Sequence, residues 1–106
     1  MSSEKVLSYL GLCKKAGKLV CGTDMAADMI RRGKAVLALT SSDASSNTVK
    51  RISDCCKFRS VEYTALPCTT EQTGRAVGRS GGIAALCITD SSFAEMIKKA
   101  ITQTFQ

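Results

Sequence analysis

Residues 19–39 read LVCGTDMAADMIRRGKAVLAL, and the order of apolar groups within them decides the fold class. Leu19-Val20-Cys21 is a short apolar run ended by Gly22, which predicts a strand. From Thr23 to Arg32 the spacing changes. Ala26, Met29 and Ile30 fall on one helical face before Gly33, and Arg31 and Arg32 complement the negative end of the helix dipole. Ala35 to Leu39 is apolar throughout, as a buried strand requires.

The same alternation extends in both directions. Upstream, Val6, Leu7, Leu10 and Cys13 recur at helical spacing from Glu4 to Ala16, and Gly17 supplies the stop. Downstream, the polar cluster Thr40 to Thr48 ends a strand and caps a third helix marked by Val49, Ile52 and Cys56. Val61, Tyr63 and Ala65 alternate with Glu62 and Thr64, a half-exposed strand that Pro67 closes. Thr69-x-x-Gln72 is a capping box for a short helix to about Val77, and Gly78-Arg79-Ser80-Gly81-Gly82 is a basic loop. Ile83 to Ile88 predicts a central strand, and Ser92-x-x-Glu95 a cap for a last helix bearing Phe93, Met96, Ile97, Ala100 and Ile101 on one face. Strands alternating with helices predict an α/β domain with helices on both sheet faces.

At 106 residues and 11.3 kDa, one domain over 1–106 is expected. Hydrophobic residues at 44% and charged residues at 23% are ordinary globular usage, which argues against a wholly disordered chain. No apolar run reaches the ~18 residues of a membrane span, and Met1 to Lys5 opens without a signal-peptide segment, so a cytoplasmic protein is expected. The charge is lopsided: eleven lysines and arginines face five acids up to Arg59, and four face four beyond it. All of the net +6 therefore lies in the first part of the chain, which favours a polyanionic partner approaching one region.

Catalysis lacks its usual tools. With no histidine, there is no ordinary Ser-His or Cys-His pair. Six cysteines without a C-x-x-C pair do not suggest a metal site, and contexts such as Leu86-Cys87-Ile88 suit core packing. Asp43 follows a buried strand, yet Ser41, Ser42, Ala44 and Ser45 offer it no second carboxylate or lysine; capping the third helix is its simpler role. The glycines from Gly74 to Gly82 match no phosphate-binding loop, so no cofactor is expected. What remains is Gly22-Thr23-Asp24, a helix start flanked by Lys14, Lys15 and Lys18 before it and Arg31 and Arg32 after it. Free helix N–H groups and cations would suit an RNA backbone; equally, Thr23 or Asp24 could be a plain N-cap beside solvated lysines.

Four stretches carry a resemblance: LGLCKKAGKLVCG (10–22), Arg32-Gly33-Lys34-Ala35, SDASSNTVK (42–50) and GRAVG (74–78). In this order they resemble the kink-turn-binding L-seven-Ae ribosomal protein family, and within it the bacterial YlxQ-like branch. The resemblance implies a three-layer α/β/α sandwich with a mixed four-stranded sheet and non-catalytic binding of structured, possibly ribosomal, RNA by a monomer. It implies RNA contacts at Gly22, Thr23, Asp24, Arg32 and Asp43, and in the Arg79 to Gly82 loop, including Gly81. In the family the first of these loops reads Gly-Thr-Asn-Glu with a lysine three residues on; here Asp24, Met25 and Asp28 stand at those places. An ionised Asp accepts hydrogen bonds without donating, and Asp28 puts negative charge near phosphate, so weaker kink-turn binding is expected. A protein-interaction module on the same scaffold, without RNA affinity, is the alternative.

Overall fold

Nine elements follow one another along residues 3–104, the part described by a computed structural model. They are α1 (Glu4–Lys15), β1 (Leu19–Cys21), α2 (Thr23–Arg31), β2 (Leu37–Thr40), α3 (Ser46–Arg59), β3 (Glu62–Ala65), α4 (Thr70–Ala76), β4 (Ala85–Ile88) and α5 (Ser91–Thr104). The sheet order is β1-β4-β2-β3, with β4 antiparallel to both of its neighbours and β2 parallel to β3. The sheet is therefore mixed and four-stranded, and helices cover both faces.

Strand alternation explains the two helical layers, because successive side chains point to opposite faces. Leu19, Cys21, Leu37, Leu39, Leu86 and Ile88 pack with Val6, Leu10 and Cys13 of α1 and Ile97, Ala100 and Ile101 of α5. Their strand neighbours Ala38, Ala85 and Cys87 face the other way, onto Ala26, Ala27 and Ile30 of α2 and Ile52 and Cys56 of α3. One core is thus built of Leu and Ile, the other largely of Ala and Cys. Every residue of β2 and β4 is buried, so β4 reads as an unbroken apolar run and β2 as Leu-Ala-Leu closed by Thr40, while Val36 just before it is exposed.

Several boundaries and caps differ from the sequence reading. β2 begins at Leu37 and takes in Thr40, whose hydroxyl is satisfied in the interior by Tyr63 Oη at 2.6 Å. β4 begins at Ala85. The alternation expected in β3 breaks at its end: Ala65 is exposed and Leu66 buried. The Thr69/Gln72 capping box forms as expected, with bonds of 3.1 and 2.9 Å. The Ser92-x-x-Glu95 box does not. Asp90 caps α5 instead, accepting from Phe93 N–H at 3.0 Å, while Glu95 turns outward to pair with Lys98. Among the described residues no helix is long and apolar enough to cross a membrane.

The six cysteines are free thiols, five of them buried and Cys55 half-buried. Burial pushes the Cys13 and Cys56 thiols up to about 11 and Cys87 to about 12, from an ordinary value of 9.0. Folding therefore opposes ionisation of these groups. Below pH 9 both states hold neutral thiols and nothing is lost; between pH 9 and 11 only the unfolded chain gains by ionising, so stability should fall across that window. Iodoacetamide at pH 8 should label Cys55 alone in the folded protein and all six cysteines in denaturant, read by intact mass.

Candidate nucleic-acid interface

Antiparallel pairing of β4 with both neighbours brings three connections to one edge of the sheet. β1 and β2 end where β4 begins. Gly22 N–H donates to Ala85 O at 2.9 Å and Ser41 N–H to Ala84 O at 2.9 Å, so the β1–α2 and β2–α3 loops flank the α4–β4 loop. Ser41 fastens them from inside. Its hydroxyl donates to Ile83 O at 2.6 Å and lies 3.2 Å from Thr73 Oγ1, and Ser42 N–H reaches Cys68 O at 2.8 Å.

At Gly22 the chain turns from strand to helix with φ 105° and ψ 142°, a conformation that strains any residue with a Cβ. Gly22 itself is the N-cap of α2, which corrects the expectation that Thr23 or Asp24 caps it; no side chain bonds the first N–H groups of the helix. A Cβ on Gly22 would have Arg79 Nη1 as its nearest neighbour, 3.9 Å away. The guanidinium of the second glycine-rich loop therefore lies over the start of α2. Lys14 and Arg79 both stand close enough to Cys21 to oppose, by their positive charge, the rise that burial imposes on its thiol.

The acids of this edge are all engaged. Asp24, in the first turn of α2, pairs with Arg51 of α3 at 2.6 Å, and Asp28 pairs with Arg32 at 3.0 Å. Asp43 does not cap α3; Ser45 does, accepting from Thr48 N–H at 3.2 Å. The Asp43 carboxylate instead accepts from Thr70 N–H at 2.7 Å and Thr70 Oγ1 at 3.2 Å, tying the β2–α3 loop to the first turn of α4. Met25, beside Asp24, is 58% exposed.

The sequence-derived candidates thus fall into two groups. Gly22, Thr23, Asp24, Asp43, Arg79 and Gly81 share the loop edge, with Lys14 near it. Lys15 ends α1, where with Lys14, Arg75 and Gly78 it lines an open groove between α1 and α4. Lys18 and Arg32 lie elsewhere. The carbonyl of Lys18 accepts from Thr89 N–H beyond the far end of β4, placing Lys18 ~13 Å from Gly22 along the strand. Arg32 sits at the opposite end of the nine-residue α2, also ~13 Å away. Sequence reading missed Ser41, Thr70 and Arg51. Ser41 could have been found as a polar residue directly following a buried strand, whereas nothing local marks Arg51, 27 positions from its partner.

The sequence profile described as "Ribosomal protein L7Ae/L30e/S12e/Gadd45 family" matches residues 4–98. The chain is 34% identical over 97 residues to the RNA-binding protein YlxQ of Bacillus subtilis (strain 168), covering 92% of this chain and 95% of that one. It is 31% identical over 98 residues to the protein of the same name in Enterococcus faecium, covering 92% of each. Among solved structures it is similar to a Bacillus halodurans protein of unknown function, with TM-score 0.85, 26% identity and coverage of 92% and 97%. It also shares the fold of a Giardia lamblia 15.5kD RNA binding protein, with TM-score 0.74, 18% identity and coverage of 95% and 85%.

The close approach of α4 to its following loop generates a test. A Cβ on Gly74 would lie 2.9 Å from Gly82 Cα and 3.1 Å from Arg79 O, both backbone atoms that cannot rotate away. Gly74→Ala should therefore cost about 1–3 kcal/mol in chemical denaturation and shift the Arg79 and Gly82 amide resonances. Gly78→Ala, with open space around its Cβ and only a positive φ to offend, should leave the Gly82 resonance in place.

Proposed function

The chain belongs to the ribosomal protein L7Ae/L30e/S12e/Gadd45 family, and on that premise we propose that it is a non-catalytic RNA-binding protein. A single domain over 1–106 acts as a monomer and takes structured, ribosome-associated RNA at the edge where the three loops meet. The observation that carries this reading is the placement of Arg79 over Gly22. A cation stands beside uncapped helix N–H groups at a residue without a side chain, so a phosphate can approach backbone and guanidinium together. Lys14 adds a second cation nearby. Thr23 and Asp24 are then the side chains placed to address base edges, and Asp43 holds the neighbouring loop against α4.

Kink-turn recognition is weakened at three positions of this surface. Asp24 and Asp28 are held by Arg51 and Arg32, so each pair presents little net charge to a phosphate. Exposed pairs of this kind are worth at most ~1 kcal/mol, and RNA can displace them, but the freed carboxylates then repel it. Replacing Asp24, Met25 and Asp28 together by Asn, Glu and Lys removes both repulsions and leaves Arg32 and Arg51 free. Affinity for a kink-turn duplex should rise at least tenfold, about 1.4 kcal/mol, and most of the gain should vanish when its G·A pairs are replaced by Watson-Crick pairs.

The geometry also ranks the basic residues. Arg79→Glu and Lys14→Glu should weaken RNA binding and flatten its dependence on salt, by about 0.7–0.9 in log–log slope for each phosphate that is no longer neutralised. Lys18→Glu, ~13 Å away at the other end of β1, should do less. Equal losses of affinity from Lys18→Glu and Arg79→Glu in a fluorescence titration would place the RNA on a different face.

A further inference from the structure

The C-terminal ends of α2 and α3 meet at the opposite end of the helical layer from the three loops. A Cβ on Gly33 would lie 3.8 Å from Arg59 Nη2, which sets the two helix ends side by side. Residues 31–34 and 57–60 are exposed without exception. Among the described residues Arg32 pairs with Asp28, whereas Arg31, Lys34, Lys57 and Arg59 have no acidic partner. Between Lys57 and Arg59 projects Phe58, 83% exposed and the most open of the large hydrophobic side chains among the described residues.

Two simpler roles fall short of this arrangement. Cations at helix C-termini complement the dipole, but two such ends present roughly −0.5 charge each, so four full positive charges leave a large surplus. A lone exposed phenylalanine is ordinary on a protein surface. An aromatic ring set among four uncompensated cations is the combination that single-stranded nucleic acid requires, a flat platform for a base and charges for the phosphates on either side. The same surplus repels a second copy of this chain.

We propose that this patch is a second RNA-contacting surface, on which Phe58 stacks an unpaired base while Arg31, Lys34, Lys57 and Arg59 hold the flanking phosphates. The strand it takes is a single-stranded extension of the structured RNA bound at the loops, so the reading rests on the proposed function for the position of that RNA. The path is continuous. Arg51, two turns before Phe58 on α3, pairs with Asp24 in the first turn of α2, and the exposed face runs ~13 Å from there to Arg32.

The test uses a kink-turn duplex with blunt ends, the same duplex with a ten-uridine overhang, and the ten-nucleotide oligouridine alone, each titrated at low salt. The overhang should tighten binding at least fivefold. Phe58→Ala should abolish that gain and leave the blunt duplex unaffected, Phe58→Trp should keep it, and Lys57→Glu with Arg59→Glu should abolish it. Lys57, Phe58 and Arg59 are all exposed, so none of these variants removes a core contact. An overhang without effect, or an effect that survives Phe58→Ala, overturns the inference while leaving blunt-duplex binding, and hence the proposed function, standing. Failure of the blunt duplex alongside Phe58-dependent binding of oligouridine does the reverse. Phe58-dependent binding of phosphatidylglycerol vesicles with no response to the overhang assigns the patch to a membrane and also overturns it.

Discussion

The antiparallel pairing of β4 with both β1 and β2 is the constraint on which the rest of the molecule depends. Leu86 lies opposite Cys21 on one side and Leu39 on the other, and these registers send the strand Leu and Ile side chains, with Cys21, to the α1/α5 face and Ala38, Ala85 and Cys87 to the α2/α3 face. A one-residue slip would reverse both sets, placing Leu and Ile in a layer filled by small side chains. The same pairing decides where function can reside. Since β1 and β2 run opposite to β4, the connections leaving them converge on the connection entering it, and three loops distant in sequence become one surface.

Electrostatics on that surface is divided. Along α2 the acids Asp24 and Asp28 are matched by Arg51 and Arg32, so the helix face itself offers little net attraction to a polyanion. Attraction comes from the flanks, from Lys14 and Arg79 at the loop edge and from the unpaired cations at the ends of α2 and α3. Such a distribution favours phosphate contacts over base-edge recognition, and phosphate contacts position an RNA without specifying its sequence.

How far the sequence disclosed this depends on the range of each signal. Helical spacing in α1 and α2, the apolar runs of β2 and β4 and the Thr69/Gln72 box are local patterns, and all three survive in the structure. The caps were less legible because a cap depends on which of several adjacent polar residues has the right backbone geometry. Asp90 rather than Ser92 opens α5, and Gly22 rather than Thr23 opens α2, since at each place the chain turns one or two residues earlier than composition alone indicates. Asp43 was invisible in its true role: Thr70, its partner, is 27 residues away and meets it only after β2 and β4 have paired. The candidate residues are spread apart for the same reason. Lys18 is close to Gly22 in sequence, but the extended strand between them holds the two at its opposite ends.

The measurement that bears most directly on the convergence of the three loops is a map of backbone amide shifts as a structured RNA is titrated into the protein. The largest changes should fall together at Gly22 to Met25, Ser42 to Ala44 and Arg79 to Gly82, with the exposed side of α5 and the edge strand β3 unmoved. Shifts concentrated on α5 or β3, with those three segments silent, would contradict the account.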